Sequence, residues 1–478
     1  MAEMTPMRIG ADRVTTTESS IVTSPYDGAE VGRVPVGTAA HIDAAVAAAV
    51  ARRDGGALPA WKRAEILDAA AVRLAARSEE FARRIAAEAA KPIKTARGEV
   101  MRAVDTFRFS AAVARMLTGE TIPLDASSAG EHKLGFVMRV PIGVVAAISP
   151  FNFPVNLVVH KIGPAIAAGC PVVLKPASST PLSALALAGM LLDECGLPDG
   201  WLNVVTCKGS TANHLVEHPD VAMVTFTGSP PVGWGIRQKV PHKRVGLELG
   251  NNAPVIIEPS ADWELVADKI AVAATSFAGQ SCISVQRVYV HRSIADGFVD
   301  RLTAAFAGLV VGDPFDESTD VSSLIDGDET TRVVDCIADA VRDGARVSVG
   351  GTVGSDGVLA PTVLVDVTPD MDVCRTEIFG PVVGVQCYDD VAEAMRLAND
   401  TRYGLQAGIF TADLDTAMLA ARTLDFGGVT VNEVPTWRAD QMPYGGLRDS
   451  GNTREGPAYA AREMTEERLV IIHSMSLP

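Results

Sequence analysis

The sequence predicts an α/β fold of two α/β domains with parallel-type sheets, accompanied by an extended β-arm and a C-terminal strand. Three observations predict it. Residues 40–120 are helical in pattern, short β-branched runs alternate with helical stretches from Gly143, and the same alternation begins again after Gly250. At 478 residues the chain also exceeds what one hydrophobic core ordinarily holds.

In chain order, the Ala-rich stretches Ile42–Arg52 and Ala64–Ala75 place apolar residues at helical spacing between charged ones. Glu131–Val140 alternates apolar and polar residues in part and reads as a hairpin arm. Val144–Ile148 is a strand, Lys161–Ala168 a helix, Pro171–Leu174 a strand, and Pro181–Glu194 a helix ending at Gly196; Leu202–Val205 and Val221–Phe226 follow as strands. These runs are apolar without alternation, as strands buried on both faces of a parallel sheet are, and their order implies right-handed crossovers. Ala253–Ile257, Leu265–Phe277 and Val285–Val290 repeat the pattern, so two α/β units meet near residue 250. Neither an internal repeat nor a low-complexity linker is visible. Toward the end, Arg468-Leu469-Val470-Ile471-Ile472 is strongly β-prone. A lone strand is unstable, so it pairs either within the chain or with a partner subunit.

Composition narrows the function. Hydrophobic residues make up 47% and charged residues 21%, a globular balance. The formal net charge of −16 repels phosphate backbones and anionic lipids, which argues against nucleic-acid or membrane binding as a main role. The N-terminus lacks the basic and apolar regions of a secretory signal, and Pro150 and Pro154 break the short apolar stretch Val144–Pro154. The seven cysteines form no CxxC pair. Reduced thiols in a cytoplasmic compartment are expected, with no metal site. Any one of these cysteines, taken alone, is most simply a small buried hydrophobe.

Three segments carry chemistry. In Gly279-Gln280-Ser281-Cys282-Ile283-Ser284, Gly allows close backbone approach, and N–H groups around a thiol stabilise both a thiolate and an oxyanion. In Leu247-Glu248-Leu249-Gly250-Asn251-Asn252, a Glu between leucines is a candidate general base whose burial would raise its pKa; alone it also reads as a surface Glu at a strand end. In Ser149-Pro150-Phe151-Asn152-Phe153-Pro154, a rigidly held Asn offers an oxyanion donor, or simply satisfies loop backbone groups. Two more segments suit a nucleotide. Lys175 ends a strand and fits hydroxyl or phosphate oxygens. Phe226-Thr227-Gly228-Ser229-Pro230-Pro231 leads into a helix whose first N–H groups are expected to meet a pyrophosphate. This is not the GxGxxG fingerprint, and Gly350–Gly354 is most simply a turn.

Together and in this order, these segments resemble the aldehyde dehydrogenase superfamily, in particular its lactaldehyde dehydrogenase-like branch. The match runs from Ser24-Pro25-Tyr26-Asp27-Gly28 to Asp449–Gly456, and includes Glu377-Ile378-Phe379-Gly380-Pro381 and Pro443-Tyr444-Gly445-Gly446. The resemblance implies a Rossmann-like NAD(P)-binding domain (1–121 and 142–250), a catalytic domain (251–449), and an oligomerisation arm and tail (122–141 and 450–478) in a homodimer or homotetramer. It also implies the reaction. Cys282 thiolate adds to the aldehyde carbon, Asn152 and the Cys282 N–H hold the oxyanion, hydride passes to NAD or NADP, and Glu248 activates the water that hydrolyses the thioester. Lys161 supports the site. Ser149, Phe151, Lys175, Ser178, Gly228, Ser229, Leu249, Glu377 and Phe379 hold the cofactor, with Lys175 and Glu377 on the two riboses and Ser229 on the pyrophosphate.

Three departures from the family pattern follow. Ser178 stands where many NAD-specific members carry a Glu that repels a 2′-phosphate, which opens NADP use. Pro230-Pro231 replaces the commoner Thr-Glu. Asn251 replaces a second Gly, with an effect the sequence leaves open. For the substrate, Ser281, Ile283 and Ser284 beside the nucleophile point to a small, fairly polar aldehyde, either a hydroxyaldehyde or a semialdehyde. Arg108, His160 and Arg438 are candidates to meet its hydroxyl or anionic group, or are structural. An Arg directly before the nucleophile would favour a phosphate, and that position is Ser281. Two rivals are a CoA-acylating enzyme, which Glu248 opposes because such relatives generally lack it, and a catalytically silent member serving as a structural or binding protein.

Overall fold

The structure is a computed structural model that describes residues 4–473. Its first sheet has five parallel strands in the spatial order Arg244–Glu248, Val221–Thr227, Val144–Ile148, Val172–Lys175, Leu202–Val204. Two short antiparallel strands, Met7–Ile9 and Asp12–Val14, extend one edge. The parallel strands are buried on both faces, which is why their sequences do not alternate. Val145, Ala147, Val172 and Leu174 pack beneath the helices Ala60–Ala76, Ile93–Met116, Asn156–Ala168 and Pro181–Asp193. Val144, Ala146, Ile148 and Val173 face the other way, against Ala39–Asp54, Gly209–Glu217 and Pro230–Lys239.

The second sheet also has seven strands, in the order Arg346–Val349, Thr362–Val365, Val382–Tyr388, Val285–His291, Ala253–Ile257, Gln406–Phe410, Gly428–Val431. All its pairings are parallel except the first. Trp263–Thr275 and Ala295–Ala307 cover one face, while Val391–Asn399 and Leu414–Thr423 cover the other. The expected helices and strands are thus present, with Lys161–Ala168 lengthened to Asn156–Ala168.

A third sheet forms the arm. The β-prone tail Thr465–His473 runs antiparallel to Lys133–Pro141 over its whole length, so its partner lies within the chain. Thr121–Ile122 closes the other side, leaving Thr465–His473 as an edge. Positions 474–478 of the tail lie outside the described residues. Among the described residues, no helix is long and apolar enough to cross a membrane, and no group of three or more His, Cys, Asp or Glu is arranged to hold a metal ion.

Candidate active site

The motif residues meet in one cleft for a topological reason. The first sheet presents the carboxyl ends of its strands there: Ser149–Asn152 follow Val144–Ile148, Gly228 and Ser229 follow Val221–Thr227, and Lys175 and Glu248 end their own strands. Strand order reverses between Val144–Ile148 and Val221–Thr227, the place where open parallel sheets bind ligands. Opposite, the second sheet presents amino ends. Asn252 precedes Ala253–Ile257, Cys282 precedes Val285–His291, and Glu377–Pro381 precede Val382–Tyr388. A cavity of about 720 Å³ follows the seam, lined by Ser149, Phe151, Asn152, Lys175, Ser178, Gly228, Ser229, Glu248, Leu249, Cys282, Glu377 and Phe379 among others.

Cys282 follows a strained turn in which Phe277, Ala278 and Gly279 have φ of 51°, 52° and 72°. Left-handed conformations at residues with side chains cost of order 1–3 kcal/mol each and concentrate at functional sites. At Gly279 a Cβ would lie 2.1 Å from the Gly380 carbonyl oxygen, so no other residue fits. Cys282 is half-buried, with Sγ 2.8 Å from the Tyr444 hydroxyl. Burial dominates its titration and pushes the thiol up to about 12. The Tyr444 hydrogen bond pulls it down, Glu377 raises it further, Arg438 lowers it and Glu248 raises it. A thiol in these surroundings keeps its proton until a base removes it.

Asn152 is buried, and its Nδ2 donates to the Gln280 carbonyl at 2.9 Å. That bond uses one of its two amide N–H groups, and the other is left on the cavity that Cys282 also lines. Its loop is locked by residues the sequence did not single out. Lys91 Nζ donates to the Asn152 carbonyl and to Glu99, both at 2.5 Å, and lies 3.8 Å from the Phe153 ring centre. Glu99 accepts the N–H groups of Val155 and Asn156 at 2.9 and 3.1 Å, where the helix Asn156–Ala168 begins. Lys91 and Glu99 are both fully buried at their side chains, so each requires the other.

Glu248 is 4% exposed, and neither carboxyl oxygen has a hydrogen-bond partner. Burial, then the charge of Glu455, raises its pKa well above the ordinary range, against Arg438, Lys161 and Arg454. Glu455 is equally buried, but Arg438 donates to it at 3.0 Å and, with His160 and Lys161, holds it below that range. The charge is therefore favoured on Glu455, and Glu248 is shifted toward its protonated form. Lys161 Nζ donates to Thr225 Oγ1 at 3.1 Å and Thr227 Oγ1 at 2.8 Å, its pKa lowered by burial. A thiol, an amide N–H and an unpartnered carboxyl on one cavity can carry out covalent acyl transfer.

Deeper in the cavity, Glu377 Oε1 accepts the Asn251 N–H at 2.9 Å, and burial raises its pKa to about 7. Gly250 makes room for it, since a Cβ there would lie 2.1 Å from Glu377 Oε2. Asn251 ties the chain to the second sheet, donating from Nδ2 to the Gln406 carbonyl at 3.2 Å. Phe379 meets Phe151 edge to face, ring centres 6.0 Å apart. Ser149 Oγ is buried without a partner, and Ser178 is exposed at the rim, its hydroxyl 3.4 Å from the Cys207 carbonyl. Arg332, Glu329, Asn213 and Tyr403 also line the cavity; no sequence signal marked them, because they come from segments remote from the motifs.

One expectation here needs correction. Ser229 does cap the helix Pro230–Lys239, but prolines fill the first two helical positions and carry no N–H. Gly233 N–H is used by the Ser229 carbonyl. Of the first-turn donors only Val232 N–H remains, beside a Ser229 hydroxyl with no capping bond.

The substrate-side candidates separate. Arg108 does not reach the site: it is exposed and pairs with Asp105 at 3.0 Å, because its place on the helix Ile93–Met116 faces away. Arg102, on the inner side of that helix, grips Asp440 with two bonds of 3.2 and 2.8 Å. Asp440 also contacts His160 Nε2 at 2.9 Å, and Arg438 Nη2 lies 3.1 Å from the same nitrogen. His160 is fully buried and its pKa is lowered by burial and then by Arg438, so it is a neutral link in this network. Arg438, 5% exposed at its side chain, stacks on the Tyr444 ring at 3.8 Å. Ile283 packs against Leu405 and Tyr444, and Ser281 is half-buried beside Cys282. Trp437 is exposed.

Comparison with known proteins places this geometry. The model of the Aldehyde dehydrogenase family matches residues 14–470. The chain is 46% identical over 96% of both chains to a 3-sulfolactaldehyde dehydrogenase of Priestia aryabhattai. Its structure is similar to aldehyde dehydrogenase 21 from Physcomitrella patens in complex with the reaction product succinate (TM-score 0.96, 38% identity, covering 100% of this chain and 99% of that one). It is also similar to an NADP-dependent glyceraldehyde-3-phosphate dehydrogenase from Bacillus halodurans complexed with NADP (TM-score 0.95, 36% identity, 98% and 99%).

Proposed function

The chain belongs to the aldehyde dehydrogenase family, and on that premise we propose that it oxidises a small, polar, anionic aldehyde to the carboxylic acid with NAD(P). The observation that carries the reading is the convergence of Cys282, Asn152 and Glu248 on one cavity. In the mechanism, the Cys282 thiol loses its proton to solvent water and Sγ bonds to the aldehyde carbon. The carbonyl electron pair moves to oxygen, which the free Asn152 N–H and the Cys282 N–H hold. A bound nicotinamide would accept the hydride and leave a thioester on Cys282. Glu248, as carboxylate, then takes a proton from a water that attacks the thioester, the Cys282 thiolate departs, and Glu248 passes that proton to solvent as the acid is released. The unpartnered carboxyl of Glu248 favours water over CoA as acyl acceptor.

The cavity fits a dinucleotide. Its buried orphan Ser149 hydroxyl, the Glu377 carboxyl and the Lys175 ammonium line it and would supply contacts to such a ligand. Lys161 supports the site from beneath. Exposed Ser178 puts no carboxylate at the rim, so both NAD and NADP are expected to serve. The anionic preference rests on Arg102, the half-exposed arginine of the Asp440 network, with a sulfonate and a carboxylate ligand in the named relatives as support. We assign residues 1–121 with 142–250 to NAD(P) binding, 251–449 to catalysis, and 122–141 with 450–478 to the contact of a homodimer or homotetramer. Seven free thiols among the described residues suit a reducing, cytoplasmic setting.

The test is a panel of aldehydes run in parallel with each cofactor, following NAD(P)H absorbance. Short aldehydes bearing a carboxylate or sulfonate should give the highest kcat/KM, and Arg102→Ala should raise their KM selectively. Faster turnover of long alkyl aldehydes would overturn the substrate class, strict NAD dependence would overturn the role of Ser178, and a requirement for CoA would overturn hydrolysis.

A further inference from the structure

We propose that Tyr444 is a catalytic residue, its hydroxyl donating a hydrogen bond to Cys282 Sγ when the nucleophile forms and again when it leaves as thiolate. The inference rests on the reading of Cys282 as nucleophile and concerns a residue to which the mechanism above gives no task. The contact is 2.8 Å, at the reacting atom itself. The hydroxyl is placed rather than free to wander. The tyrosine is 3% exposed, its ring is stacked by Arg438 and flanked by Ile283 and Leu405, and its backbone exchanges two hydrogen bonds with Glu455.

The next residue ties the same block to the base. Gly445 sits against Glu248 Oε1, 2.8 Å from where a Cβ would lie, and the Thr453 carbonyl oxygen at 2.1 Å from the same point leaves room for glycine alone. One segment therefore touches nucleophile and base together. Four groups act on the thiol: Tyr444, Glu377, Arg438 and Glu248. Tyr444 alone among them is hydrogen-bonded to it. Burial keeps the phenol protonated far above neutrality, so it cannot compete as an anion, and once the thiol proton has gone only the tyrosine can donate. Hydrogen bonds to charged acceptors are roughly twice as strong as neutral ones, so the contact favours thiolate over thiol.

Tyr444→Phe keeps the ring and removes only the donor. In the cofactor-free protein, the rate of Cys282 alkylation by iodoacetamide should move to higher pH by about one unit, a tenfold slowing at fixed pH. The kcat/KM for aldehyde should fall while the KM for the cofactor stays. Replacing the tyrosines of the wild-type chain with 3-fluorotyrosine, a stronger donor, should move the alkylation profile the opposite way, and this arm needs no substitution that disturbs folding. Unchanged alkylation profiles in both proteins would overturn the proposal while leaving Cys282 as nucleophile. If instead stoichiometric alkylation of Cys282 left NAD(P)H formation intact, the underlying reading would fail with it.

Discussion

Glu248 and Glu455 are two buried carboxyls whose fates differ because one has an arginine and the other does not. Arg438 stabilises a charge on Glu455, and that charge in turn favours a proton on Glu248. Glu248→Gln should leave acylation able to proceed but remove water activation. We expect a rapid burst of at most one NAD(P)H per site followed by turnover slowed about 10²–10⁴-fold, read by stopped-flow absorbance. Steady-state turnover at the wild-type rate would exclude Glu248 as general base. The residues proposed to do the chemistry were legible because their signals are local: a thiol beside Gly and Ser, a Glu among leucines, an Asn between prolines. Their supports were not. Lys91, Glu99, Arg102, Asp440 and Glu455 look like ordinary charged residues, and each acquires its role from a partner brought near only by folding, as Arg102 does from Asp440, 338 residues away.

At the scale of elements, helix existence was plain from periodicity but helix phase was not. Of the two readings of Arg108, the structural one holds: its face of Ile93–Met116 points away from the site, and the inner face carries Arg102 and Thr106 instead. The proline pair after Ser229 marks the helix start in sequence, yet it also removes two N–H groups and so weakens that start as an anion site. Helix ends also hold a titratable support. Glu88, fully buried, accepts the N–H groups of Leu182 and Ser183 at 2.8 and 3.0 Å, where Pro181–Asp193 starts. Burial raises its pKa from 4.5 to about 7, against those hydrogen bonds. Between these values the folded chain binds a proton that the unfolded chain has released. Stability from this group is therefore complete below about 4.5 and lost as pH rises through about 7, on the order of 3 kcal/mol. Glu88→Gln, neutral throughout and still an acceptor, should flatten the fall in melting temperature between pH 5 and pH 8. Equal slopes in the two proteins would show that another group sets it.

Across the whole molecule, the alternation of strand and helix and the restart after Gly250 anticipated two sheets. The antiparallel N-terminal strands gave no such sign, being only three residues each. The arm sheet ends in an open edge, Thr465–His473, with Leu469, Ile471 and Ile472 exposed beside Leu134 and Met138. An apolar edge of this kind is ordinarily covered. Ile471→Lys should therefore lower the mass measured by light scattering at micromolar concentration, with the far-ultraviolet spectrum unchanged; a wild-type chain already monomeric there would remove the argument. The two large sheets meet through Leu249–Asn252, four buried residues held by the Ser450, Gln406 and Thr376 carbonyls and by the Glu377 carboxyl. Glu248 ends one sheet immediately before them. This passage has no slack, so it is where the chain tolerates no change of length. A single inserted residue would move the base out of register with the thiol, whereas the exposed turn at 354–357 can lengthen without consequence for either.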